Sequence, residues 1–92
     1  MSTAAGPHKN PLIASIEVTD QFIVAQLVDG RTISVPLSWS WRLAEATQAQ
    51  RQRFEIIGGG EGVHWPDVDE DISAEGMLNG RPAQRGPLRG PQ

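Results

Sequence analysis

Apolar and polar residues alternate from Leu12 to Thr19, with Ile16 and Val18 set against Ser15 and Glu17. This is the period of a strand with one buried face. After the polar break Asp20-Gln21, Phe22–Val28 is apolar at nearly every position, with Phe22, Val24 and Val28 on one face and Ile23, Ala25 and Leu27 on the other. Such a two-sided strand belongs in the centre of a sheet. Asp29-Gly30 predicts a tight hairpin of type I′, which needs positive φ at both central residues. Arg31–Val35 then supplies a third strand with Ile33 and Val35 inward. The pattern predicts an antiparallel three-stranded meander.

Pro36 has no N–H to give to a ladder and ends the third strand. Beyond it the period changes. Trp39, Leu43 and Ala46 share a helical face, so a helix capped by Ser38 is predicted over 39–46. Thr47 and Gln50 have capping-box spacing and predict a second short helix from Gln48 to about Phe54. Glu55–Ile57 and Val63–Trp65 read as short strands on either side of a glycine-rich loop. Ser73 caps a last helical turn, Ala74–Leu78, whose Met77 and Leu78 are expected to dock on the core. The predicted class is α+β: meander, two short helices, Gly-rich loop with a short strand, and a short C-terminal helix.

At 92 residues the chain holds one small domain, placed at 12–80. Residues 1–11 lack an apolar pattern and predict a flexible N-terminus. Residues 81–92 are rich in Gly, Pro and Arg and predict a disordered tail. A core of this size is near the lower limit of independent stability, so a monomer or a homodimer is expected, with a partner plausible on the same ground. No run approaches the ~18 apolar residues of a membrane span, and no hydrophobic leader stands at the start. The absence of cysteine excludes a disulfide framework and thiolate metal sites. The expected compartment is the cytoplasm.

Charge changes the picture more than composition does. The net charge of −3 hides a segregation, because residues 61–79 carry six acids (Glu61, Asp67, Asp69, Glu70, Asp71, Glu75) and no Lys or Arg. A nucleic-acid binder presents a basic face, and here the strongest field is acidic. The stretch Gly58–Ile72 therefore draws the chemistry. Its glycines do not fit a dinucleotide fingerprint, since the sixth position is Val63 and no helix follows, nor a P-loop, since no Gly-Lys-Ser/Thr closes the run. Asp67, Asp69 and Asp71 open like a calcium loop, but Ile72 stands where Gly is required and Leu78 where Glu is required. No metal and no cofactor is expected. His64, the one histidine of the domain, reads as a hydrogen-bonded structural residue, because catalysis needs a converging set of groups.

These residues together resemble a known family. Asp29-Gly30-Arg31, Val35-Pro36-Leu37, Trp39, Arg42-Leu43, Ala46-Thr47 and Gln50-Arg51 are followed by Ile57-Gly58-Gly59-Gly60-Glu61-Gly62-Val63-His64-Trp65-Pro66. Asp69-Glu70-Asp71-Ile72-Ser73 and Leu78-Asn79-Gly80 complete the pattern. It resembles the bacterial family known as domain of unknown function 2442, over about Ile16 to Gly80. The resemblance implies a small α+β domain and no established activity. It also implies pairing with a second small protein, as in a toxin–antitoxin module.

Three functional expectations follow. The first is a non-enzymatic interaction domain that binds a small basic protein through an acidic, tryptophan-bearing edge formed by Trp41, Glu61, His64, Trp65, Asp67, Asp69, Glu70 and Asp71. The second is a nucleic-acid-binding or transcriptional role for the 47–54 helix, read through Arg51 and Arg53. The third is a small metal-dependent hydrolase at His64 with Asp67, Asp69 and Asp71.

Overall fold

The computed structural model describes residues 11–80. The expected flexible N-terminus, apart from Pro11, and the expected tail at 81–92 lie outside the described residues. The architecture is α+β, in two antiparallel three-stranded sheets, each built from consecutive strands. The first contains β1 (Ile13–Val18), β2 (Phe22–Leu27) and β3 (Thr32–Pro36), with β2 central as the pattern predicts. Two short helices follow, α1 (Trp41–Ala44) and α2 (Gln48–Arg51). The second sheet contains β4 (Glu55–Ile57), β5 (Gly62–Trp65) and β6 (Glu70–Ser73), and α3 (Ala74–Asn79) closes the described chain. Among the described residues no helix is long and apolar enough to cross a membrane.

Ile13 and Ile16 are both buried although they are three apart. The register explains this: Ile13 pairs with Leu27 and Ser15 with Gln26, so β1 carries one extra residue between them. Such a bulge resets the alternation and returns Ile16 and Val18 to the inner face. Ile23, Ala25 and Leu27 of β2 and Val35 of β3 complete that face. The other face of β2 is not covered to the same degree, since Phe22 is 45% exposed and Val28 lies outside the strand at 67%.

The hairpin after β2 lies where Asp29-Gly30 predicts, but its geometry differs. Leu27 N–H donates to Arg31 C=O at 2.8 Å and Gly30 N–H to Leu27 C=O at 3.0 Å, and in this turn only Gly30 has positive φ, 97°. This is a three-residue loop with one left-handed position in place of the expected type I′ turn with two. The Asp29 carboxylate accepts from the Arg31 N–H at 3.1 Å and from Arg31 Nε at 2.8 Å. These contacts, the backbone N–H first, hold its pKa below the usual carboxylate value.

The helical segment breaks earlier than predicted. Leu37–Trp39 form one 3-10 turn, and Ser40, not Ser38, caps α1 by accepting from Leu43 N–H at 3.2 Å. Trp39 and Leu43 still both reach the core, from opposite sides of this break. The Thr47–Gln50 capping box is present, with Gln50 N–H donating to Thr47 Oγ1 at 3.1 Å and Thr47 N–H to Gln50 Oε1 at 2.9 Å. The helix it starts ends at Arg51, three residues short of Phe54. Ser73 caps α3, Met77 is buried, and Leu78, expected to dock, is 42% exposed. β6 was not foreseen.

One core serves both sheets: Ile23, Leu43, Val63 and Trp65 are fully buried within it, with Met77 of α3 beside them. Gly60, in the turn between β4 and β5, has φ 114° and lies against β1. A Cβ added there would lie 2.9 Å from Ile13 C=O and 3.0 Å from Ile13 N. Both atoms are backbone of β1 and cannot step aside as a flexible side chain would. Gly60→Ala is expected to cost about 2 kcal/mol or more, from overpacking together with the disfavoured backbone. Gly59 also has positive φ, 67°, but nothing lies within 4 Å of its added Cβ. Gly59→Ala should cost about half as much, from backbone conformation alone. Parallel urea titrations of the two variants check this; equal midpoints would show that the Ile13 approach carries no constraint.

Candidate partner-binding surface

The acidic surface is built on the β5–β6 hairpin. Alternation along β5 turns Val63 and Trp65 inward and leaves His64 half-buried on the opposite face. The register then sets the neighbours of His64, with Glu55 of β4 on one side and Asp71 of β6 on the other. Side chains directly opposite share a face, so Glu55, His64 and Asp71 form a row across the outer face of the sheet. His64 Nδ1 lies 2.7 Å from Asp71 Oδ1, and the imidazole is 30% exposed. Glu55 is the residue that linear reading missed. Its signal was the register: once β4 and β5 pair across the glycine turn, residue 55 falls opposite residue 64.

The remaining acids divide. Glu61 is exposed just after the glycine turn. Asp67 lies 3.6 Å from Arg53 Nη1. Asp69 is exposed in the β5–β6 turn with φ 56°, a left-handed position that Asp tolerates better than most residues. Its C=O accepts from Arg42 Nη1 at 3.1 Å. Glu75 is exposed at the start of α3.

Two of the predicted partner-binding residues do not belong to this surface. Glu70 is 3% exposed. Its carboxylate accepts from the Ser40 hydroxyl and from the Asp71 N–H at 3.0 Å, with Arg42 Nη1 3.8 Å away. A carboxylate is buried when its oxygens are so satisfied, and this one ties the cap of α1 to β6. Trp65 is 0% exposed. Its ring packs at a tilt against Phe54, centroids 6.2 Å apart, and its Nε1–H donates to Arg51 C=O at 2.9 Å. Trp41 is half-buried, with the Arg42 guanidinium carbon 5.0 Å from its ring centroid.

The helix read as a nucleic-acid element presents no basic face. Arg51 is 8% exposed and turned inward. Its Nε donates to Leu43 C=O at 3.0 Å, Nη2 to Ala44 C=O at 3.3 Å and Nη1 to Asp20 at 2.9 Å. The guanidinium thus satisfies carbonyls at the C-terminal end of α1. Arg53 lies beyond the end of α2, beside Asp67.

The third expected constellation is also taken apart. Asp71 joins His64, Asp67 pairs with Arg53, and Asp69 stands at the turn. Among the described residues no group of three or more His, Asp or Glu side chains is placed to hold a metal ion.

None of the curated proteins matches the chain. Two solved structures share the fold. A crystal structure at 2.75 Å resolution of a protein of unknown function from Rhodospirillum rubrum superposes with a TM-score of 0.71 at 25% identity, over 88% of this chain and 100% of the other. A solution NMR structure of an uncharacterized protein from Chromobacterium violaceum gives 0.67 at 27% identity, over 79% of this chain and 69% of the other. The family model described as protein of unknown function (DUF2442) matches residues 13–83. That span runs from the first residue of β1 through α3, so it takes in both sheets and the acidic hairpin, and the chain belongs to the DUF2442 family.

Proposed function

We propose that this chain is a non-enzymatic interaction domain, the antitoxin-like half of a two-protein module, that binds a small basic protein in the cytoplasm through its acidic edge. The observation that carries this reading is an imbalance of charge. Residues 55–79 hold seven acids and no Lys or Arg, and six of the seven (Glu55, Glu61, Asp67, Asp69, Asp71, Glu75) belong to exposed residues. Arg53 faces Asp67, and the half-buried Arg42 faces the buried Glu70. A surface of one sign steers an oppositely charged partner and raises its association rate.

Charge reversal tests the reading. Asp69 has positive φ, so Asn neutralises it with little added strain, while Glu61, Asp67 and Asp71 accept Lys. The combined variant is expected to bind the second, basic protein of the module about 100-fold more weakly, mainly through slower association. The wild-type affinity should also fall as salt rises. Arg53→Glu, which removes the counter-charge beside Asp67, should leave binding intact. A fourfold variant that folds and binds with wild-type affinity overturns the proposal.

A further inference from the structure

Successive pairs in an antiparallel ladder alternate between hydrogen-bonded and non-bonded, and the phase of the second sheet can be read. Ala74 N–H donates to Glu61 C=O at 2.9 Å. The pair 61/74 is therefore bonded, and stepping along the register makes Gly62/Ser73 and His64/Asp71 non-bonded. Asp71 agrees, because its N–H goes to the Glu70 carboxylate and not to β5. Gly62 and His64 consequently turn their backbone groups towards β4, where they meet Ile57 and Glu55. Ile56, between those two, must turn its N–H and C=O out of the sheet.

Nothing described in the chain receives them. β4 is an edge strand, and among the described residues no backbone hydrogen bond reaches Ile56 from outside the sheet. The opposite edge differs: at β6 the Asp71 N–H is taken by Glu70, and just before it the Asp69 C=O is taken by Arg42. Open edges are ordinarily kept very short or blunted by charged side chains, Pro or a bulge, and β4 is short, at three residues, but has no Lys, Pro or bulge. β4 reads Glu-Ile-Ile, with Ile56 39% and Ile57 42% exposed. Beside this edge, on one face, runs the row Glu55, His64, Asp71.

Resting on the acidic-edge reading above, we propose that the basic partner docks by adding an extended segment to β4 as a fourth strand. The unpaired backbone of Ile56 selects a strand, and the acidic row selects its sequence. The residue opposite Ile56 exchanges both backbone hydrogen bonds with it and lays an apolar side chain beside the isoleucine. The residue opposite Glu55 falls on the His64 face, where a Lys or Arg meets the carboxylate at cross-strand distance. The recognised segment therefore alternates basic and apolar residues, and its apolar positions present their N–H and C=O to this chain.

That last point gives a test with defined chemistry. The probe is a nine-residue peptide of alternating Lys and Val, titrated into the full chain and followed by anisotropy and by amide exchange at Ile56. It should bind at least tenfold more tightly than a peptide of the same composition with its lysines and valines in separate blocks, and it should slow exchange of the Ile56 amide. Backbone N-methylation of the valines should abolish binding, because their N–H groups face Ile56. N-methylation of the lysines, whose N–H groups face away, should leave it. If both methylated peptides and the block peptide bind like the parent, strand addition is overturned. If no peptide binds, it is overturned as well. In either case the charge-reversal experiment judges the acidic-edge reading independently.

Discussion

Trp65→Ala should leave much of the population unfolded without denaturant. Truncating a buried Trp costs about 3–5 kcal/mol. A domain of this size has a total stability of roughly 4–10 kcal/mol, at about 0.05–0.15 kcal/mol per residue. The site offers no way to relax cheaply, since Trp65 is fully buried and joins β5 to Phe54 and to the end of α2. Trp65→Phe separates the two contributions. It keeps the ring in the core but leaves the Arg51 C=O without its donor, at about 1–2 kcal/mol. Urea titration followed by circular dichroism measures both. An alanine variant with a near wild-type midpoint would show that Trp65 does not hold the two sheets together.

Arg51→Met ranks second, at about 2–4 kcal/mol. Methionine can fill the space of the aliphatic stem, but it leaves the carbonyls of Leu43 and Ala44 without their guanidinium donors. Hydrogen bonds from a charged donor are worth more than neutral ones, about 1.5–3 kcal/mol, and after the substitution the Leu43 C=O keeps only neutral backbone donors such as the Ala46 N–H. Asp20→Asn provides the contrast. Asp20 is 91% exposed, so its ion pair with Arg51 is screened and should contribute no more than about 1 kcal/mol. A loss in Asp20→Asn as large as that in Arg51→Met would mean that the ion pair, and not the carbonyl capping, is what matters. Charge reversal at Arg51 is for the same reason a poor probe of nucleic-acid binding, because it would report on folding. Arg53 is the residue to reverse.

The first sheet was legible because its signals are local. Alternation sets its faces, and Asp29-Gly30 marks the turn. Even the error in turn type kept the hairpin in place, since Gly30 supplies the one left-handed position required. The Thr47–Gln50 box was legible for the same reason. β6 was hidden because Glu70-Asp71-Ile72-Ser73 reads as an acidic run, and half of its alternation rests on a buried carboxylate. Only Ser40 and Arg42, some thirty residues earlier, make Glu70 an inward residue. Linear spacing could not show that partnership. It likewise treated 61–71 as one acidic surface, whereas the strand period sends Trp65 and Glu70 inward and leaves His64 and Asp71 outside. Glu55 entered the site only through pairing with β5.

The order of strands bears on how the chain is made. The first meander and α1 are complete once Ala44 has been synthesised, yet the inner face they form is covered by Val63, Trp65 and Met77. A nascent chain that has emerged only as far as α1 would hold a folded hairpin pair with Ile16, Val18, Ile23 and Leu43 bare. Exposed apolar strands of this kind are where association with other chains begins. The second sheet therefore acts as a late lid on the first, and the apolar face stays open to other chains until β5 and α3 arrive to cover it.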